Sequence, residues 1–136
     1  MADLIITESA VAPQSLNSSK TIVAGEAISI GQPIYMDATD SNRGKVADKG
    51  TVAEAAVIGL SISGAAAAGQ PISYLPSGDV DFGAILSAGE TYVLSSAGGI
   101  SPVADLLSTE YVSYIGYGKS SSLMGLMIQA SGTAKA

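Results

Sequence analysis

The 136-residue sequence contains no cysteine, no histidine and no tryptophan. Without cysteine and histidine it cannot form a disulfide, a thiol nucleophile, an imidazole base or an ordinary zinc site. A Ser-His-Asp catalytic triad is excluded for the same reason. Charged residues are also scarce, at 13% of the chain, which is about half the usual share. We therefore expect a protein that is not an enzyme and that holds no metal and no cofactor.

The charges that are present are mostly acidic. Twelve Asp and Glu residues against six Lys and Arg residues give a net charge of −6. The basic residues are scattered, whereas a nucleic-acid surface needs them clustered, so we expect no nucleic-acid partner. The first three residues lack the basic segment of a secretory signal. The longest apolar run, 52–68, carries Glu54 and is too short to span a bilayer, so we expect synthesis in the cytoplasm and no membrane partner.

Short β-prone runs separated by turn residues fill the chain from residue 21 onward. Some of them, such as 57–62, alternate in a way that places apolar side chains on one face. Regular short strands with Gly-rich turns predict an all-β fold, a compact β-sandwich or barrel. The predicted strands cover 21–23, 27–30, 34–36, 45–47, 56–63, 71–75, 80–82, 91–95, 111–117 and 123–129.

An internal repeat divides this predicted domain into two similar β units. Residues 31–36 (GQPIYM) resemble residues 89–94 (GETYVL), and residues 57–60 (VIGL) resemble residues 114–117 (YIGY). The near-constant offset indicates a duplication within a single domain, 21–131, with units at about 25–78 and 83–131 and a pseudo-two-fold arrangement. The glycines repeated inside the strands, Gly59 and Gly116, indicate a bulge, a sharp bend at a barrel corner or a close approach of backbone.

The first twenty residues lack this pattern and are predicted to form an extended N-terminal arm. The arm begins with the apolar cluster Leu4-Ile5-Ile6 and continues through Leu16. One interpretation is a frayed terminus. The other is an arm that docks on a neighbouring subunit, for example by adding a strand to a sheet edge. At the other end, residues 132–136 are predicted to form a loose tail.

Three polar groupings have both a chemical and a structural interpretation. Residues 37–44 contain a fragment of a calcium loop but lack its final Glu, since Thr51 stands at that position, and a polar hairpin turn explains them equally well. Asp79 and Asp81 are either an acid/base pair or a solvated strand edge. Lys119, which precedes three serines, belongs either to a Ser-Lys dyad or to a turn. We favour the structural interpretation of each.

Three tyrosines fall in one predicted strand, at Tyr111, Tyr114 and Tyr117. Alternation places Tyr111 and Tyr117 on one face and Tyr114 on the other. Tyrosine is common at interfaces because it offers apolar area with a polar tip, although cross-strand packing is the other interpretation. The residues predicted to bind a partner are therefore Leu4, Ile5, Ile6, Leu16, Tyr111, Tyr114 and Tyr117.

Residues 24–35 (AGEAISIGQPIY), 56–61 (AVIGLS) and 88–95 (AGETYVLS) are similar to segments of small head proteins of tailed bacteriophages, the capsid decoration or cement proteins. The resemblance covers most of 24–129, and the arm has no counterpart in it. It implies a non-enzymatic virion component on the outer surface of the capsid. Such a protein is commonly a homotrimer or a dimer, bridges subunits of the major capsid protein and reinforces the head.

Two other classes of protein remain open at this point. A phage tail or fibre component could have similar sequence patterns. It would need to form an elongated trimer, however, and the chain has no fibrous repeat. A small β-fold module that binds a ligand or a sugar is the second alternative. The missing tryptophan disfavours a sugar platform, although six tyrosines are present.

Overall fold

The structure, a computed structural model, describes residues 3–16 and 18–135. These residues form two antiparallel sheets that pack against each other as a β-sandwich, which confirms the predicted all-β fold. The strands are β1 (Ala12–Pro13), β2 (Lys20–Val23), β3 (Pro33–Asp37), β4 (Arg43–Val46), β5 (Val57–Ser61), β6 (Pro71–Leu75), β7 (Ser77–Asp81), β8 (Thr91–Leu94), β9 (Ile100–Pro102), β10 (Tyr111–Gly118) and β11 (Leu123–Ala134). Short 3₁₀ turns occur at Glu8–Ala10, Ser96–Gly98 and Val103–Asp105.

The two sheets share one connectivity. The N-terminal sheet has the order β2-β6-β5-β3-β4, and the C-terminal sheet has the order β7-β11-β10-β8-β9 with β1 added beside β7. Strand for strand, the two orders are the same, so the predicted duplication has a direct counterpart in the topology. Unit 1 runs from β2 to β6 and unit 2 from β7 to β11. These units start earlier than the predicted 25–78 and 83–131, because each includes an edge strand that the sequence comparison left out.

Each unit has a β-bulge at the same place. The register between β3 and β5 shifts next to Gly59 in unit 1, and the register between the equivalent strands β8 and β10 shifts next to Gly116 in unit 2. A Cβ on Gly59 would lie 2.7 Å from the carbonyl oxygen of Leu75, and one on Gly116 would also meet the next strand's backbone. The pair Ile34 with Gly59 in unit 1 is equivalent to the pair Tyr92 with Gly116 in unit 2. In the same way, Tyr35 with Val57 is equivalent to Val93 with Tyr114.

This register fixes how the units face each other. Ile34 lies in a small core on the outer face of the N-terminal sheet, whereas its equivalent, Tyr92, lies in the main core between the sheets. The outer face of unit 1 therefore corresponds to the inner face of unit 2. A pseudo-two-fold axis would relate inner face to inner face, so that prediction is wrong. The units stack head to tail.

The main core fills the space between the two sheets. A fully buried aliphatic or aromatic side chain contributes about 1.5–3 kcal/mol there. Its buried members are Tyr35, Ala47, Ala55, Val57, Leu60, Leu75, Val80, Phe82, Leu86, Tyr92, Leu94, Ile100, Ile115, Met124 and Leu126. The smaller outer core lies beneath the segment that precedes β3 and the segment that precedes β6. Ile28 and Ala65 form a bridge between these two segments.

The N-terminal arm lies along its own chain. The Leu4 N–H donates to the carbonyl of Ile100 at 2.7 Å, and the Leu4 and Ile6 side chains pack against the main core. The Glu8 carboxylate accepts the N–H of Ile30 at 2.9 Å. Farther along, β1 pairs with β7. The arm is therefore neither frayed nor free, because its backbone is hydrogen-bonded and Leu4 and Ile6 pack against the core of its own subunit.

The predicted loose tail is also wrong over its described part. Strand β11 continues to Ala134. The Lys135 N–H donates to the carbonyl of Glu110 at 2.8 Å, and the Lys135 carbonyl accepts the N–H of Thr109 at 2.8 Å. Residue 136 lies outside the described residues. Backbone pairing with the segment before β10 holds this end of the chain in the sheet.

Candidate functional site

The outer face of the C-terminal sheet presents an apolar surface, here called the open face. It consists of Thr91, Tyr114, Tyr117, Met127 and Gln129, which line a shallow cavity of about 370 Å³ together with the backbone of a glycine between the tyrosines. Met127 is 60% exposed, and each of the two tyrosines is 39% exposed. None of the five side chains is charged, so the open face is a neutral area on an acidic protein.

The β-bulge in β10 brings the two tyrosines together. Residues three apart on a regular strand point to opposite faces. The irregularity between Tyr114 and Gly116 adds one residue to the count, so Tyr117 returns to the same face as Tyr114. Tyr111, in contrast, is half-buried against the main core. The predicted parity, with Tyr111 and Tyr117 together, is therefore wrong.

An ion pair lies at the edge of the open face, where β7 borders β11. The Lys119 Nζ lies 2.9 Å from the Asp79 Oδ2, and the hydrogen bond that the ammonium donates to Asp79 raises the pKa of Lys119. The Asp81 carboxylate accepts the N–H of Gly83 at 2.8 Å. The Ser120 hydroxyl oxygen accepts the N–H of Leu123 at 3.1 Å. Asp79, Asp81 and Lys119 are thus held by an ion pair and by a turn hydrogen bond, and the structural interpretation of these residues stays a prediction.

The calcium-loop fragment is a hairpin turn that binds its own lysine. The Lys45 Nζ lies 2.9 Å from an Asp37 oxygen and 3.3 Å from an Asp40 oxygen. The Thr39 hydroxyl donates to Asp37 at 2.6 Å. This hydrogen bond, followed by that from Lys45, lowers the pKa of the Asp37 carboxyl to about 2. In the part of the chain that the structure describes, no group of three or more acidic residues is arranged to hold a metal ion.

A second depression, of about 590 Å³, lies beside the outer core at the opposite end of the sandwich. Its acidic residues are Glu26, Asp48 and Glu54. The Glu26 carboxylate accepts the N–H of Val46 at 2.7 Å, and Asp48 accepts the N–H groups of Gly50 and Ala97. Glu54 accepts the hydroxyl of a neighbouring threonine at 3.0 Å. These carboxylates tie loops together and make the lining of this depression acidic.

Two arm residues point outward. Ile5 is 83% exposed, although the residues on either side of it pack against the core, and Leu16 is 61% exposed. The segment that carries Leu16 follows the edge of β7, because the Gln14 N–H donates to the carbonyl of Asp79 at 2.9 Å and the Ser18 hydroxyl donates to that of Ser77 at 3.0 Å. The arm therefore holds both side chains on anchored backbone.

The seven predicted partner-binding residues thus divide into three groups. Tyr114 and Tyr117 lie together on the open face, and Ile5 and Leu16 are exposed on the arm. The remaining three pack against their own core: Leu4, Ile6 and Tyr111. Sequence reasoning missed Met127, Thr91 and Gln129. The pairing of β10 with β8 and β11 brings these three beside the tyrosines, and no local pattern marks them.

Among the described residues, none belongs to a helix long and apolar enough to cross a membrane. No family model matches the chain, and no curated protein is similar to it at a significant level.

Proposed function

We propose that this protein is a non-enzymatic structural component of a tailed-phage particle, which binds the outer surface of the capsid and bridges neighbouring subunits of the major capsid protein. The sequence resemblance over 24–129 suggests this class. The observation that carries the proposal is Ile5, a large apolar side chain that is 83% exposed on an anchored backbone. Exposed apolar groups held on rigid elements are what a protein–protein contact needs, since little entropy is lost when they bind.

The contacts around Ile5 explain its rigidity. The Leu4 N–H extends the edge of β9 by a hydrogen bond to Ile100, and the Asp3 carboxylate accepts the Ser95 hydroxyl at 2.6 Å. Leu4 and Ile6 are half-buried against the core on one side of this segment, so Ile5 points to the other. A capsid subunit that covers Ile5 would meet a preformed apolar knob beside a sheet edge.

The net charge of the protein and the many identical binding positions on a capsid support the same role. A net charge of −6 disfavours contact with packaged DNA and suits the outside of a shell. Each contact made by one small domain is weak. Many identical contacts around a capsid add up through effective concentration, so a small patch around Ile5 suffices for stable occupancy.

Cosedimentation with undecorated heads of the phage that encodes the chain tests this proposal. We expect the wild-type protein to saturate the heads at a fixed stoichiometry. The Ile5→Asp variant should need at least about tenfold more protein to reach half-occupancy, because a carboxylate would be buried in the contact. Leu107→Asp is the matched control, since Leu107 is 67% exposed and lies outside the arm. It should bind like the wild type.

Two outcomes would contradict the proposal. Wild-type protein that stays in the supernatant with heads, but sediments with tails, would favour the tail or fibre alternative. Equal binding by Ile5→Asp and Leu107→Asp would remove Ile5 from the contact. Deletion of residues 2–16 is a poor test, because it would also remove the core contacts of Leu4 and Ile6.

A further inference from the structure

The open face is the counterpart of a surface that is buried within the same chain. By register and by sequence, Val57 and Leu60 of unit 1 correspond to Tyr114 and Tyr117 of unit 2. Val57 and Leu60 are buried in the main core, where unit 2 covers them. Tyr114 and Tyr117 are exposed on the outer face. The same position of the repeat is thus covered by a neighbouring β unit in unit 1 and uncovered in unit 2.

The two ends of this two-unit stack differ in chemistry. At the end formed by unit 1, loops close the outer core, and the depression between them has Glu26, Asp48 and Glu54 in its lining. At the end formed by unit 2, Tyr114, Tyr117 and Met127 are exposed on the sheet, beside a threonine and a glutamine. Stacked repeats need polar outer faces at both ends to remain single, and the open face is not polar.

The composition of the open face fits contact with protein. Tyrosine and methionine are enriched in interfaces, and charged residues are depleted from interface centres. The ion pair between Asp79 and Lys119 lies at the margin of the face, on the β7 side. An apolar centre with a polar rim is the usual organisation of such a surface.

We propose that the open face docks on the open face of a second copy of this chain, which forms a two-fold symmetric dimer. In this arrangement two C-terminal sheets pack face to face, and both polar ends point outward. Head-to-tail contact would instead press Tyr114 and Tyr117 against the depression with Glu26 and Glu54, which would desolvate carboxylates without a cationic partner. A face-to-face contact is self-complementary and closes at two copies.

The dimer can be tested by measuring molar mass against concentration, with light scattering and sedimentation equilibrium. Met127 and Met36 form a matched pair, because both are exposed strand methionines, 60% and 45% respectively, on the outer faces of opposite sheets. We expect a wild-type dimer, a Met127→Asp variant whose dissociation constant is raised at least about 100-fold, and a Met36→Asp variant that dimerises like the wild type. Circular dichroism and urea unfolding should show that both variants are folded.

The absence of cysteine from the chain allows a second, geometric test. Single substitutions Tyr114→Cys, Met127→Cys and Gln129→Cys place a thiol at different distances from the two-fold axis. We expect mild oxidation to link copies through at least one of these positions, and Met36→Cys to give no linked dimer. Symmetric linkage through the same residue of both copies requires face-to-face contact.

Several results would overturn the inference. One such result is a wild-type protein that is monomeric at all concentrations. Another is a Met127→Asp variant that still forms the dimer. Loss of association in Met36→Asp alone would indicate head-to-tail contact instead. A monomer whose tyrosine fluorescence responds to a panel of oligosaccharides would show that the open face is a sugar site. None of these measurements uses capsids, so they can fail without affecting the proposed capsid binding, and the reverse also holds.

Discussion

The ring of Tyr117 lies over the backbone of Gly125, its direct neighbour across β10 and β11. A Cβ on Gly125 would be 3.0 Å from both Cε1 and Cζ of the ring. At the corresponding place in unit 1, Leu60 pairs with Leu75, and both side chains are buried in the main core. Unit 2 thus has a large flat side chain and a glycine where unit 1 has two buried leucines. The missing side chain at Gly125 leaves room for the Tyr117 ring against the backbone of β11.

Alanine at two neighbouring glycines should have unequal effects. In Gly125→Ala the new methyl group meets the Tyr117 ring, which can tilt, so we expect a loss of about 1 kcal/mol in the free energy of unfolding. In Gly116→Ala it meets the backbone of Gly125, which cannot move without breaking the sheet, so we expect about 3 kcal/mol or more. Urea unfolding measures both values. Equal losses would show that the bulge backbone is free to shift.

Two buried serines should respond in opposite directions to alanine. Ser113 and Ser61 are both fully buried. Within the described residues, the Ser113 hydroxyl has no hydrogen-bond partner, so Ser113→Ala should stabilise the protein by up to about 1 kcal/mol. The Ser61 hydroxyl donates to the Ser29 carbonyl at 2.6 Å and accepts the N–H of Gln32 at 3.1 Å. Ser61→Ala should therefore cost about 1–3 kcal/mol. Thermal and urea unfolding check both, and destabilisation by Ser113→Ala would contradict the prediction.

Neighbouring arm residues should differ in their effect on stability. Leu4 packs against the main core, so Leu4→Ala should reduce the free energy of unfolding by about 1–2 kcal/mol. Ile5 is exposed, so Ile5→Ala should change it by no more than about 0.5 kcal/mol. Denaturant unfolding of the two variants provides the comparison. An arm that was free in solution would make both substitutions neutral.

The stability of the hairpin between β3 and β4 should depend on pH through Asp37. Its pKa falls from 3.8 to about 2 in the folded protein, chiefly because the Thr39 hydroxyl donates to it and next because Lys45 does. A lowered pKa means that the folded state binds the proton less tightly than the unfolded state. The stabilisation is therefore complete above about pH 4 and is lost as the pH falls towards about 2.

Carboxyl NMR titration tests this directly. We expect Asp37 to titrate near pH 2 in the wild-type protein and closer to 3.8 in Thr39→Ala. The urea midpoint of the wild type should also exceed that of Asp37→Asn at pH 6, and the difference should shrink as the pH falls to about 2. A wild-type Asp37 that titrates at its ordinary value would show that the turn does not hold the contacts with Thr39 and Lys45.

Local patterns were enough to predict most of the strands and the repeat. The strand predicted over 27–30 is wrong, because only Ile28 forms an isolated bridge there, and β1 and β9 were not predicted. Alternating apolar residues, turn residues and the recurrence of residues 57–60 at 114–117 all act over a few neighbours. The same local rule failed for Tyr111 and Tyr117, because strand alternation holds only where no residue is added. The glycine in residues 114–117 indicated a bulge. Which side chains the bulge would bring together depends on pairing with β8 and β11.

By itself, the sequence determined that the protein has no thiol or imidazole chemistry, that it is acidic, and that it folds into two similar β units. Composition and short-range periodicity carry that information. Only the tertiary structure decided that the units stack head to tail, that Leu4 and Ile6 complete their own core, and that Tyr114 and Tyr117 share an exposed face with Met127. Those outcomes depend on which surfaces meet across long stretches of chain, where burial of apolar area outweighs any local preference.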